Sequence, residues 1–121
     1  MNSLETLFEK SCNRLLDEEE ILFAGIVEKN GKITCGGFKH NVNLLEKEEA
    51  EIMFMEQVLM ASMNKEFDNC LGMVEYTASK RKLATLISFP MNSALLLIAA
   101  KSGIEIEKEA NKIQRIIMCV I

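Results

Sequence analysis

Phe23-Ala24-Gly25-Ile26-Val27-Glu28-Lys29-Asn30-Gly31-Lys32-Ile33-Thr34 decides how the rest of the chain is read. Ile21 to Val27 is an unbroken run of apolar and small residues rich in strand formers, and a second run resumes at Lys32 and reaches about Phe38. Between them stands Asn30-Gly31, a pair that tolerates positive φ at both centres of a two-residue turn and so predicts a β-hairpin. Gly36-Gly37 weakens or bulges the second strand, which suits an edge.

Outward from the hairpin, Leu4, Leu7, Phe8, Cys12, Leu15 and Leu16 recur at helical spacing, and Asn2 with Glu5 has the form of a capping box, so residues 3–17 are read as a helix. From about Glu46 to Cys70 there is no Gly or Pro, which predicts one long helix that Gly72 ends. Residues 73–79 alternate, with Val74, Tyr76 and Ala78 on one side, as a half-exposed strand does. Two further strands follow, Leu83 to Phe89 and Ala94 to Ala100, separated by the turn at residues 90–93. Ser102 and Glu105 have capping-box spacing, and Ile106, Ala110, Ile113, Ile117 and Val120 mark one face of a closing helix.

The element order α-β-β-α-β-β-β-α defines an α+β domain that takes up residues 1–121 as one unit. Strands covered on both faces read as continuous apolar runs, and only the first and fifth do so. Placing these two side by side, with the hairpins outside them, gives a five-stranded, mainly antiparallel sheet of order 2-1-5-4-3. The central helix then covers one face and the terminal helices share the other.

Several functional classes are disfavoured. The chain has 121 residues, 14 Lys+Arg against 18 Asp+Glu, a net charge of -4 and no basic stripe for nucleic acid. Its most apolar runs are seven residues long, far short of the ~20 that span a bilayer. With an acidic N-terminal stretch and no long apolar segment after it, the chain is read as unprocessed and cytoplasmic. Cys12, Cys35, Cys70 and Cys119 are too widely spaced for a zinc or redox motif and are read as mostly buried free thiols. No metal or cofactor is expected.

Gly25 to Ile33 imitates a phosphate-binding loop but has five residues between its glycines and Ile33 where a hydroxyl belongs. His40 is read as a solvated loop histidine, and the acidic runs 17–20 and 46–51 as solvated faces near helix ends. No catalytic constellation is recognisable.

The central helix carries the most information. Ile52, Met53, Met55, Leu59, Met60, Met63, Phe67 and Cys70 form a wide stripe that is expected to cover the sheet. Phe54, Val58 and Ala61 fall opposite and form a second apolar patch of the kind that marks a partner surface. Glu56 lies inside the wide stripe, where an unpaired buried carboxylate is costly; it either reaches water or pairs in a pocket or across an interface.

The succession of elements, with the Asn-Gly hairpin at residues 23–34 and a three-strand meander before the last helix, resembles the roadblock/longin group of profilin-like folds over nearly the whole chain. Residues 23–37 together with Met91 to Ile98 also resemble a family of small uncharacterised proteins from ammonia-oxidising archaea. The roadblock resemblance implies a non-enzymatic dimer serving as a platform or regulator for a small Ras-like GTPase, or as an adaptor subunit. It also implies that the central helix and third strand meet a second copy across a twofold axis, through Phe54, Val58, Ala61, Val74 and Tyr76. The alternative from another class is a PAS-like small-ligand sensor with a pocket between sheet and central helix, for which Glu56, Tyr76 and Ser88 are the polar candidates. An enzyme would need its chemistry supplied by a cofactor or partner.

Overall fold

The computed structural model describes residues 3–120, and side chains from Thr6 to Cys119. The elements are α1 (Ser3–Leu16), β1 (Ile21–Glu28), β2 (Ile33–Phe38), α2 (Lys47–Asn64), α3 (Asp68–Leu71), β3 (Thr77–Lys80), β4 (Ala84–Pro90), β5 (Ala94–Lys101) and α4 (Ile106–Val120). All neighbouring strands are antiparallel, in the order β2-β1-β5-β4-β3. The expected order holds because β1 and β5 are buried almost end to end, whereas β2 and β3 contain only half-buried and exposed residues.

The sheet separates two cores of unequal size. On one face α1 and α4 bring Cys12, Leu15, Ala110 and Ile113 onto Ile26, Ile87, Phe89, Leu96 and Ile98. On the other, α2 brings Ala50 and Phe54 onto Phe23, Val27, Leu97 and Ala99. This thinner layer leaves part of the sheet beside α2 open.

Local chemistry corrects several boundaries. The hairpin turn holds three residues, because Glu28 N–H donates to Lys32 O and Gly31 N–H to Glu28 O, each at 2.9 Å. Only Gly31 takes positive φ, at 81°, while the Asn30 side-chain oxygen accepts from Lys32 N–H at 2.9 Å, so a type I turn followed by a left-handed glycine replaces the two-residue turn. Gly31 seats the hairpin tip on α2: a Cβ there would lie 2.9 Å from Met55 Cε. Gly36 is required by contact as well as by φ, since at φ 89° its Cβ would fall 2.1 Å from the carbonyl oxygen of Ala24.

The long helix is interrupted by a 3-10 turn at Lys65–Phe67 before α3. Its start is capped by Glu49, whose carboxylate accepts from Glu46 N–H at 2.8 Å. β3 begins at Thr77, later than expected, because residues 72–76 make no ladder. At the last helix Ser102 belongs to a turn and the helix begins at Ile106. The expected cap at Asn2 lies outside the described residues, as do the side chains of Leu4, Glu5 and Val120.

Candidate functional site

Helix α2 presents to the sheet the face opposite to the one its periodicity favours. Phe54 is 8% exposed, with its ring centroid 5.6 Å from that of Phe23, and Val58 packs beside it. Ala61 is half-buried. These three expected partner residues therefore point inward, and Phe54 offers no surface to a partner. Most of the wide stripe points outward: Ile52 is 61% exposed, Met63 66%, and Met55, Leu59, Met60 and Phe67 are also exposed, while Met53 is half-buried beside the sheet. A bulky aromatic opposite Phe23, with the small Ala50 one turn before it and Val58 one turn after, packs closely over the sheet, whereas the longer stripe side chains would hold the helix away from it.

Glu56 carried the signal for this inversion. It is exposed, and a carboxylate inside a stripe is compatible with that stripe facing water. Among the described residues no ion pair holds it.

The other expected residues divide between the two faces of the sheet. Tyr76 packs toward the α1/α4 core, its ring 6.1 Å from that of Phe89. Val74 lies on the α2 side, beside Gln57, Met60 and Ala61 in a shallow hollow of about 220 Å³. Ser88 is buried at the same hollow, where its hydroxyl and that of Thr77 form a hydrogen bond of 2.6 Å. The expected alternation of Val74 with Tyr76 on one side fails because both precede the strand. Among the described residues β3 pairs only with β4, which leaves its other edge open.

Charge concentrates on the opposite side of the molecule, where the α1–β1 turn meets α4. Lys112 Nζ lies 2.9 Å from Glu20 and 3.3 Å from Glu18. Glu109 Oε2 is buried with no N–H or O–H donor within reach. Burial, followed by the contact with Glu20, raises the Glu109 carboxyl to about 7, so it keeps a proton to donate to Glu20. That bond, ahead of the Lys112 ammonium, holds Glu20 down to about 2. This cluster fastens α4 to the turn and is read as structural.

Among the described residues, no group of three His, Cys, Asp or Glu side chains is placed to hold a metal ion. His40 is exposed in the loop after β2. The cysteines are less buried than expected: Cys12 is buried, Cys35 half-buried, and Cys70 and Cys119 exposed. Burial and the neighbouring Cys35 push the Cys12 thiol up to about 12, far from a reactive thiolate. No described helix is long and apolar enough to cross a membrane.

This architecture, a five-stranded sheet between one helix and a terminal pair, is the roadblock/LC7 fold. The gliding protein MglB of Thermus thermophilus superimposes with a TM-score of 0.74 at 10% identity, over 99% of this chain and 92% of that one. A roadblock/LC7 domain from Streptomyces avermitilis gives 0.69 at 11% identity, over 93% and 92%. MglC from Myxococcus xanthus gives 0.57 at 13% identity, over 98% and 97%. The chain itself belongs to a family of unknown function, DUF6659, whose model matches residues 3–118. No curated protein matches it.

Proposed function

We propose that this protein is a non-catalytic interaction module that assembles as a homodimer through the outer face of α2 and the free edge of β3. The observation that carries this reading is that α2 is apolar on nearly every side while only Ala50 and Phe54 among its residues are buried. A helix apolar all round is normally a covered helix. Six large side chains, Ile52, Met55, Leu59, Met60, Met63 and Phe67, stand 39–66% exposed on it and its continuation. Burying roughly half of each, twice over in a symmetric pair, supplies on the order of 10 kcal/mol against the cost of association. The open β3 edge offers backbone groups that a second strand would satisfy. MglB, a structural neighbour, has been described with a tetrameric arrangement, which supports the self-association proposed here.

The roadblock resemblance extends the reading to a role: a dimeric platform or regulator for a small Ras-like GTPase, or an adaptor subunit of a larger complex. The mechanism is surface complementarity, with no bond made or broken.

Light scattering tests the assembly. Wild type is expected near twice 13.7 kDa, and Met60→Glu/Met63→Glu, which alters only exposed positions, is expected to be a folded monomer. A wild-type protein that stays monomeric at high concentration would sink the proposal.

A further inference from the structure

Beyond the dimer, the end of the sheet under the start of α2 contains a hollow of about 640 Å³, within the roughly 300–1,000 Å³ of small-molecule sites. It exists because α2 lies over β1 and β5 and leaves Leu86 of β4 only half-buried. Phe23, Phe38, Leu45, Phe54, Leu86 and Leu97 form much of its wall. In its aromatic floor the Phe38 ring stands edge-on to Phe23 at 4.8 Å.

The distribution of polarity in this hollow is one-sided. Of fourteen lining residues, eleven are apolar, and the three with polar side chains are Lys80, Arg81 and Lys82, side by side in the β3–β4 turn. No carboxylate among the described residues forms an ion pair with any of them. Water inside such a wall has few partners, and three adjacent cations outside any ion pair favour a positive potential at its rim.

We infer that this hollow binds a small amphipathic anion, a single aliphatic chain ending in a carboxylate, with the chain against Phe23, Phe54 and Leu86 and the head at Lys80–Lys82. Charge complementarity selects the head, and a wall otherwise made of apolar side chains selects the tail.

Isothermal titration calorimetry with decanoate and dodecanoate, below their micellar concentrations, tests this. One site per chain is expected, with each added methylene tightening binding about fourfold and dodecanoate therefore on the order of tenfold tighter than decanoate. Dodecyltrimethylammonium is expected to bind wild type at least about tenfold more weakly than dodecanoate. The surface variant Lys80→Glu/Lys82→Glu is expected to reverse that preference, with its fold checked by circular dichroism. Unsaturable uptake, no binding, or equal affinity for the two head groups would each overturn the proposal. Dodecanoate binding seen only in the Met60→Glu/Met63→Glu monomer, and absent from the wild-type dimer, would also overturn it and assign the hollow to a second copy of the chain.

Discussion

Replacing Glu109 with Gln should change how stability depends on pH while leaving the fold intact. In the folded protein Glu109 is raised to about 7 from an ordinary 4.5, so between those values the folded state holds a proton that the unfolded chain has released. Its contribution to stability is complete below about pH 4.5 and is lost as pH rises through 7. Glu20 acts in the opposite sense: held down to about 2, it contributes above pH 4.5 and is lost as pH falls toward 2. Wild-type stability contributed by this pair therefore peaks near pH 4.5 to 5.

A shift the size of that at Glu109 corresponds to about 3 kcal/mol in full linkage. Water at the rim of the cluster screens it, and about 1–2 kcal/mol is expected between pH 5 and pH 8. The charges facing Glu109 sort with this sign: Glu18 and Glu20 from the α1–β1 turn oppose its ionisation, and Lys112 from its own helix partly offsets them. Gln keeps an N–H to donate to Glu20 and has no charge to gain. Urea denaturation followed by circular dichroism, at matched protein concentration, should find Glu109→Gln within about 0.5 kcal/mol of wild type at pH 5 and more stable by about 1–2 kcal/mol at pH 8. Stability profiles that run parallel from pH 5 to 8 would refute the shared-proton account.

Two further substitutions probe the packing. Phe54→Ala should cost about 3 kcal/mol by emptying the space over Phe23, whereas Glu56→Ala should stay within about 0.5 kcal/mol; the reverse order in urea melts would return α2 to the opposite face. Gly36→Ala should cost more than about 2 kcal/mol, because the new Cβ meets the Ala24 carbonyl and the φ of 89° is strained for alanine. An unchanged denaturation midpoint would mean that β2 can move away at little cost.

The sheet was legible in the sequence because the pattern that identifies a strand's position is carried by the strand itself. Continuous runs at residues 21–27 and 94–100 are what burial on both faces demands, and the double glycine at 36–37 marks an edge. The hairpin was legible too, although the choice between two and three turn residues rested on whether Asn30 took positive φ, and its side-chain bond to Lys32 kept it from doing so. Start points such as Thr77 and Ile106 were less legible, since they depend on where a ladder or helix finds its first partners.

The candidate surface was only half legible. The chain announces that α2 is apolar, and the sequence alone determined the order of elements, the middle pair of strands and the absence of a recognisable catalytic motif. It left the direction of α2 undetermined, because a helix with apolar residues all around has almost no preferred side, and Glu56 was a lone vote against the wider stripe. Tertiary structure decided that direction: Phe54, between Ala50 and Val58, packs onto Phe23 and Leu97, and close packing rewards fit over stripe width. The same packing left Leu86 only half-buried and brought Lys80–Lys82 to the rim of an apolar hollow, a juxtaposition across four elements that linear spacing does not encode.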